Sequence, residues 1–191
     1  MSSQWINYFG YGSLVNRDTR PKGEEAINVT LKGWRRVWNH RVTNTDARLA
    51  CTSLSVEPAQ GSIDGVLVRI PLSELDGLDA REYGYERMGL SATDFVLPNG
   101  VSAETIYIYR SLEVNRLLAD DEHPIAQSYV DCVMAGYLRR FGEEGLQQLL
   151  RSTRGWNLPT LPDRGEPTYP RHVSLSDARY QHFDRLLAAW R

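Results

Sequence analysis

The stretch Trp5-Ile6-Asn7-Tyr8-Phe9-Gly10-Tyr11-Gly12-Ser13-Leu14 constrains the fold of this chain more than any other. Trp5, Ile6, Tyr8 and Phe9 are aromatic or β-branched, so the spacing predicts a short buried strand ending at Gly10. Two glycines one residue apart then turn the backbone sharply, since glycine adopts positive φ without steric cost and lets a ligand approach the main chain. The amides around Gly12, Ser13 and Leu14 are thereby placed to converge on an anion the size of a carboxylate.

Rival chemistries for this loop fail on single residues. A dinucleotide fingerprint needs a third glycine where Val15 stands, and no Lys-Ser or Lys-Thr pair follows to make a phosphate loop. A hydrolase nucleophile elbow needs glycine two residues to either side of Ser13, where Tyr11 and Val15 stand. The plainer alternative is a strand-to-loop turn that binds nothing.

Beyond the loop, Asn16 to Glu25 is polar with Pro21 and Gly23 and reads as an exposed connection. Asn28 to Arg41 reads as extended, with a bend or bulge at Gly33. Leu49–Val56 and Asp64–Ile70 are β-rich runs predicted to form a hairpin across Glu57–Gly61. Pro71 ends the second run, and Ser73 is placed to cap a short helix that buries Leu75 and Leu78 and delivers Glu82 at its far end. Leu90–Leu97 and Val101–Tyr109 read as two strands joined at Pro98-Asn99-Gly100, the second with Ile106 and Ile108 on one face and Thr105, Tyr107 and Tyr109 on the other.

From His123 the period changes to four. Ile125, Tyr129, Val133, Tyr137 and Phe141 predict a helix stopping at Gly142, with a shorter one over 143–152. Thr153 to Val173 holds four prolines and two glycines, which predicts a long loop placed to cover a site. Ser176 then caps a last helix with Tyr180, Phe183, Leu187 and Trp190 inward. Strands precede helices, an α+β arrangement, and 191 residues make a single domain spanning 1–191 the default.

Composition excludes several partners. With 22 basic against 24 acidic residues and a pI near 6.1, no electrostatic footprint for nucleic acid or an anionic membrane is present. No apolar run approaches the roughly 20 residues that span a bilayer, which leads to the expectation of a cytoplasmic protein. Cys51 and Cys132 stand apart, and His40, His123, His172 and His182 are scattered without ligand spacing, so no metal site is expected.

Phe9-Gly10-Tyr11-Gly12-Ser13-Leu14 resembles the signature of the γ-glutamylcyclotransferase superfamily, and Leu78-Asp79-Ala80-Arg81-Glu82 with Tyr83-Gly84-Tyr85 resembles the segment around that family's proton-transferring glutamate. The resemblance implies a small mixed β-barrel with helices packed around it. It also implies an intramolecular aminolysis without cofactor, in which a γ-glutamyl group closes to 5-oxoproline and expels an amine. Tyr11, Gly12, Ser13 and Leu14 would then bind the γ-glutamyl head, Glu82 would be general acid and base, and Tyr85 and Tyr109 are candidate pocket walls. Leu14 directly after Ser13, where the mammalian-type loop carries asparagine, resembles the ChaC-like branch instead. Tyr83-Gly84-Tyr85 is shorter than the ChaC segment and leaves the branch open.

Read without the family, Glu82 is a carboxylate between Arg81 and Arg87, and Glu86 is its nearest competitor as base. Arg171, in Tyr169-Pro170-Arg171, is either a solvated surface charge or a partner for a substrate carboxylate. The partner implied is a small-molecule γ-glutamyl substrate, whether glutathione, a γ-glutamyl amino acid or a γ-glutamyl amine; the assembly is a monomer or homodimer. A non-catalytic module holding a carboxylate ligand is the alternative from another class.

Overall fold

The computed structural model describes residues 4–20, 25–41 and 50–191. The expected connection through Pro21 and Gly23, and Leu49, lie partly or wholly outside these residues. Strand β1 (Trp5–Gly10) forms as predicted, but only its inner end is buried: Tyr8 and Phe9 are enclosed while Trp5 stands half exposed.

Two long strands form the centre of the sheet. β2 (Ala26–Arg41) pairs antiparallel with β3 (Thr52–Pro71), with a register shift at Gly33, whose φ of 80° marks the expected bulge. The hairpin predicted across Glu57–Gly61 is absent, because Val56 through Ile63 continues as one strand along β2, with Pro58 opposite Trp34. β1 covers only the Val66–Pro71 part of β3, so Pro58 sits where one side of the strand is unpaired and its missing N–H breaks no ladder.

The second predicted hairpin is also re-drawn. β4 (Tyr85–Ser91) pairs antiparallel with β6 (Thr105–Ser111), and the intervening β5 (Phe95–Val96) leaves them to pair with β2, so Pro98–Gly100 is a turn in a longer connection. Among the described residues the sheet order is β4-β6-β1-β3-β2-β5, with β8 (Thr153–Arg154) added beside β2. β1 runs parallel to β6 and antiparallel to β3, which makes the sheet mixed. Its terminal strands do not pair with each other, so the expected barrel is a curled half-barrel.

Helix α1 (Leu75–Arg81) buries Leu75 and Leu78 as predicted. Ser73 does not cap it; that residue lies within a 3₁₀ turn, Leu72–Glu74, that leads directly into the helix. α2 (Gln127–Arg151) follows a short strand, β7 (Ile125–Ala126), which pairs with β9 (Thr160–Leu161). Gly142 breaks α2 with φ 68° and ψ −166°, so the two predicted helices are present as halves of a kinked one. α3 (Asp177–Leu187) is capped by the Ser176 side chain and buries Phe183 and Leu187, whereas Trp190 lies past its end and is exposed. Among the described residues no helix is long and apolar enough to cross a membrane.

Candidate functional site

The loop after β1 is shaped from behind. Val15 N donates to Gly12 O at 3.1 Å and Asn16 N to Ser13 O at 2.9 Å, closing a 3₁₀ turn over Ser13–Val15. The first amides of such a turn, those of Ser13 and Leu14, have no acceptor within it. On the opposite side the Tyr11 carbonyl accepts from Arg36 Nε at 2.8 Å and from the Tyr137 hydroxyl at 2.9 Å. The fully buried Arg36 guanidinium also donates to Ser152 Oγ at 2.7 Å, to the Asp64 carbonyl and to the Tyr137 oxygen. Neither Gly10 nor Gly12 has positive φ, so the conformational reason expected for these glycines is replaced by a spatial one. A Cβ on Gly10 would stand 2.7 Å from Leu14 Cβ, and one on Gly12 would stand 3.0 Å from the Tyr129 hydroxyl.

Glu82 follows the last residue of α1, with its amide bonded to Leu78 O at 3.0 Å. The chain turns back at once into β4, with Tyr85 N on Glu82 O at 3.1 Å and Gly84 at φ 85°, where a Cβ would meet Asn115 Nδ2 at 2.9 Å and His40 Cε1 at 3.0 Å. The Glu82 side chain is 17% exposed and lies 3.2 Å from Arg81 Nε. Burial raises the pKa of its carboxyl above the ordinary glutamate value, against the opposing pull of Arg81 and, farther off, Arg171.

Two spaces share Glu82 in their linings. An inner recess of about 30 Å³ is lined by Tyr11, Gly12, Ser13 and Leu14 together with Glu82, Tyr85, Tyr109 and Tyr129. An outer chamber of about 350 Å³ shares Ser13, Glu82, Tyr85 and Tyr129 with it and extends to His40, Thr52, Arg81, Tyr169 and Arg171. The predicted loop residues, the predicted glutamate and both predicted tyrosines thus converge on one recess. Glu86 lines neither space; it is turned to Arg116, 2.5 Å away.

The phenols differ in what they hold. Tyr11 donates to Tyr109 O at 2.6 Å, Tyr85 to Leu54 O at 2.7 Å, and Tyr109 to Asp79 Oδ1 at 2.5 Å. The Tyr129 hydroxyl, facing Gly12, donates to no group among the described residues. Burial drives all four phenols well above the ordinary tyrosine range, so each stays a protonated donor. His40 stacks on Tyr85 with ring centroids 3.7 Å apart and bonds Ser111 Oγ at 2.9 Å; burial lowers it to about 4, which leaves it neutral at pH 7.

Of the 153–173 segment, Thr168, Tyr169, Pro170 and Arg171 line the outer chamber. The segment is not the single loop read from its prolines, because Thr153–Arg154 and Thr160–Leu161 pair as strands. Its hold is Asp163, whose carboxylate accepts from Ser128 N at 2.7 Å, Ser128 Oγ at 2.6 Å, Thr168 N at 2.8 Å and Thr168 Oγ1 at 2.6 Å. That carries Tyr169 against Tyr129, ring centroids 4.8 Å apart, and brings Arg171 to the chamber although its residue is largely solvent exposed. Tyr129, Tyr169, His40 and Arg81 were not singled out from the sequence as site residues: Tyr129 repeats with the apolar stripe of α2, and the others arrive by long-range packing. Among the described residues no three His, Cys, Asp or Glu side chains converge as metal ligands.

No family model and no curated protein matches the chain in sequence. Solved structures match in shape. A γ-glutamyl cyclotransferase superposes with TM-score 0.60 at 14% identity, over 95% of this chain and 99% of that one. YkqA from Bacillus subtilis gives 0.61 at 21% identity over 84% of this chain but only 57% of its own, so this chain spans little more than half of that protein. An uncharacterized Homo sapiens protein, loc79017, gives 0.58 at 16% identity over 94% and 98%. The mixed half-barrel with its helices therefore has the γ-glutamyl cyclotransferase fold.

Proposed function

We propose that the protein is a γ-glutamylcyclotransferase. The observation that carries this is the desolvated Glu82 carboxyl in the same recess as Ser13 and Leu14, whose amides have no acceptor within their turn. The amides bind the substrate's α-carboxylate, which turns its α-amine toward Glu82. An α-amine with a pKa near 8 is mostly protonated at pH 7, and Glu82 takes that proton. The freed nitrogen attacks the γ-carbonyl carbon; its new C–N bond closes the lactam as the original amide C–N bond breaks. Glu82 returns that proton to the departing nitrogen and takes the second one from the new ring nitrogen, which the released amine then picks up, so 5-oxoproline and an ammonium result. Holding both reacting groups of one molecule in place supplies much of the acceleration, with effective molarities on the order of 10⁵ M in well-oriented cases. Tyr129, the phenol with no protein acceptor, donates to the oxygen that gains charge.

The test is 5-oxoproline release from glutathione, γ-glutamyl amino acids and γ-glutamyl amines by wild type and Glu82→Gln. Turnover of at least one substrate, falling by roughly 10²- to 10⁴-fold in the variant, is expected. Binding without release by wild type would instead make the site a non-catalytic ligand holder.

A further inference from the structure

The outer chamber carries a charge for which the γ-glutamyl head has no use. Its charged lining consists of Arg81, Glu82 and Arg171. Arg81 is committed: Nη1 donates to Thr19 O at 2.8 Å and Nε faces Glu82 at 3.2 Å. The Arg171 guanidinium makes no hydrogen bond or ion pair among the described residues, and no acidic side chain other than Glu82 lines the chamber. Arg171 is nonetheless held in place. Thr168, three residues earlier, is fixed on Asp163; Tyr169 N bonds Ser128 Oγ at 3.3 Å; and His172 N returns to Tyr169 O at 3.0 Å.

Position separates it from the head. Arg171 lines the outer chamber and not the recess formed by Tyr11–Leu14, so a head bound at the recess puts the departing part of the substrate on the Arg171 side of Glu82. Net charge agrees. Two arginines against one glutamate leave the lining at one positive charge, while a γ-glutamyl amino acid carries two carboxylates against one ammonium. A γ-glutamyl alkylamine carries no second carboxylate. Arginine's forked donors suit a carboxylate through paired bonds.

Taking the cyclotransferase reading as its basis, we infer that Arg171 binds the carboxylate of the leaving group, so the site prefers γ-glutamyl amino acids and peptides over γ-glutamyl amines. The experiment compares γ-glutamyl-alanine with γ-glutamyl-ethylamide, a pair differing by that carboxylate, on wild type, Arg171→Gln and Arg171→Lys. Wild type is expected to favour γ-glutamyl-alanine by roughly 10- to 100-fold in kcat/KM. Arg171→Gln should erase this by raising KM for γ-glutamyl-alanine at little cost in kcat and leave the ethylamide unchanged, with Arg171→Lys between. Equal losses on both substrates would assign Arg171 to the head and overturn the inference, as would no change on either. Calorimetric titration of the same pair reads the same discrimination in Kd. Binding that depends on Arg171 without any turnover therefore counts against cyclisation but supports the subsite; binding of neither compound overturns both.

Discussion

Asp163 caps helix α2 from 35 residues downstream, its Oδ1 accepting the Ser128 amide at 2.7 Å. Ala126, the residue preceding the helix, offers no side-chain cap, so an acidic group from the covering segment satisfies a free amide at the positive end of the helix dipole. The bond that starts the helix is thus also the bond that seats the wall of the chamber.

Asp163→Asn is expected to destabilise by about 2 kcal/mol at pH 7, since an amide nitrogen is forced against the Thr168 donors. Burial pushes the carboxyl up, but the hydrogen bonds from Ser128 and Thr168 outweigh it and leave the folded value below the ordinary one. The contribution is therefore complete above the unfolded-chain value of about 3.9 and is lost as pH falls through the folded value. Denaturant titrations should show the gap between wild type and variant narrowing toward pH 3. A gap independent of pH would refute the assignment.

Glu82 has the opposite sign. Burial favours its protonated form, so its contribution to stability is present below the unfolded value of about 4.3 and is lost as pH rises through the raised folded value. Glu82→Gln should match wild type near pH 4 and exceed it near pH 8, while turnover is lost. Thermal unfolding at the two pH values checks this, and a variant less stable than wild type at pH 8 would count against a desolvated carboxylate.

Gly12 and Tyr129 should couple. Gly12→Ala sets a Cβ 3.0 Å from the Tyr129 oxygen, and Tyr129→Phe removes that oxygen. Each single change is expected to lower kcat, Tyr129→Phe by roughly 10²-fold if the phenol stabilises the oxyanion. The double variant should lose less than the product of the two, because the collision is gone. Strict multiplicativity would show that the two side chains do not meet.

The sequence disclosed what depends on neighbours in the chain. The glycine-flanked loop, the end of α1 at Glu82 and the break at Gly142 were legible because each rests on local backbone chemistry. The continuity of β3 was not, since Glu57-Pro58-Ala59-Gln60-Gly61 has the composition of a turn; Glu57 and Pro58 pair with Arg35 and Trp34, pairing resumes at Ser62 with Lys32, and 59–61 pass as a bulge within one strand. Tyr129 was hidden for a related reason: its place in a four-residue stripe is the same whether a ring faces the core or a cavity. Arg171 became a cavity residue only through the grip of Asp163 on Thr168.

Gly142 makes a local prediction. A backbone at φ 68° and ψ −166° is open almost only to glycine, and no atom within 4 Å would meet an added Cβ. Gly142→Ala should therefore cost about 1–3 kcal/mol from backbone conformation alone. Gly142→Asn should not rescue it, because asparagine tolerates the left-handed helical region and not this one. Equilibrium denaturation of both variants decides the point; near-wild-type stability of either would contradict the kink.

Arg36→Lys should destabilise by about 3 kcal/mol or more, because one ammonium does not reach the Tyr11 carbonyl, the Asp64 carbonyl and Ser152 together, and buried acceptors are left unmet. Urea unfolding measures it. A loss under about 0.5 kcal/mol would mean the guanidinium is not what holds the loop.

Arg36 grips Tyr11, Asp64, Tyr137 and Ser152, whereas Asp163 grips Ser128 and Thr168, and the two sets share no residue. The molecule is in this sense built as a fixed jaw and an exchangeable one. Substitutions at 170 and 171 can reshape the outer chamber while the bonds from Arg36 and Tyr137 to the Tyr11 carbonyl stay as they are, whereas Tyr169 bonds Ser13 and ties the two jaws together. The outer wall can therefore be recut at 170 and 171 with the mould of the Tyr11 carbonyl untouched.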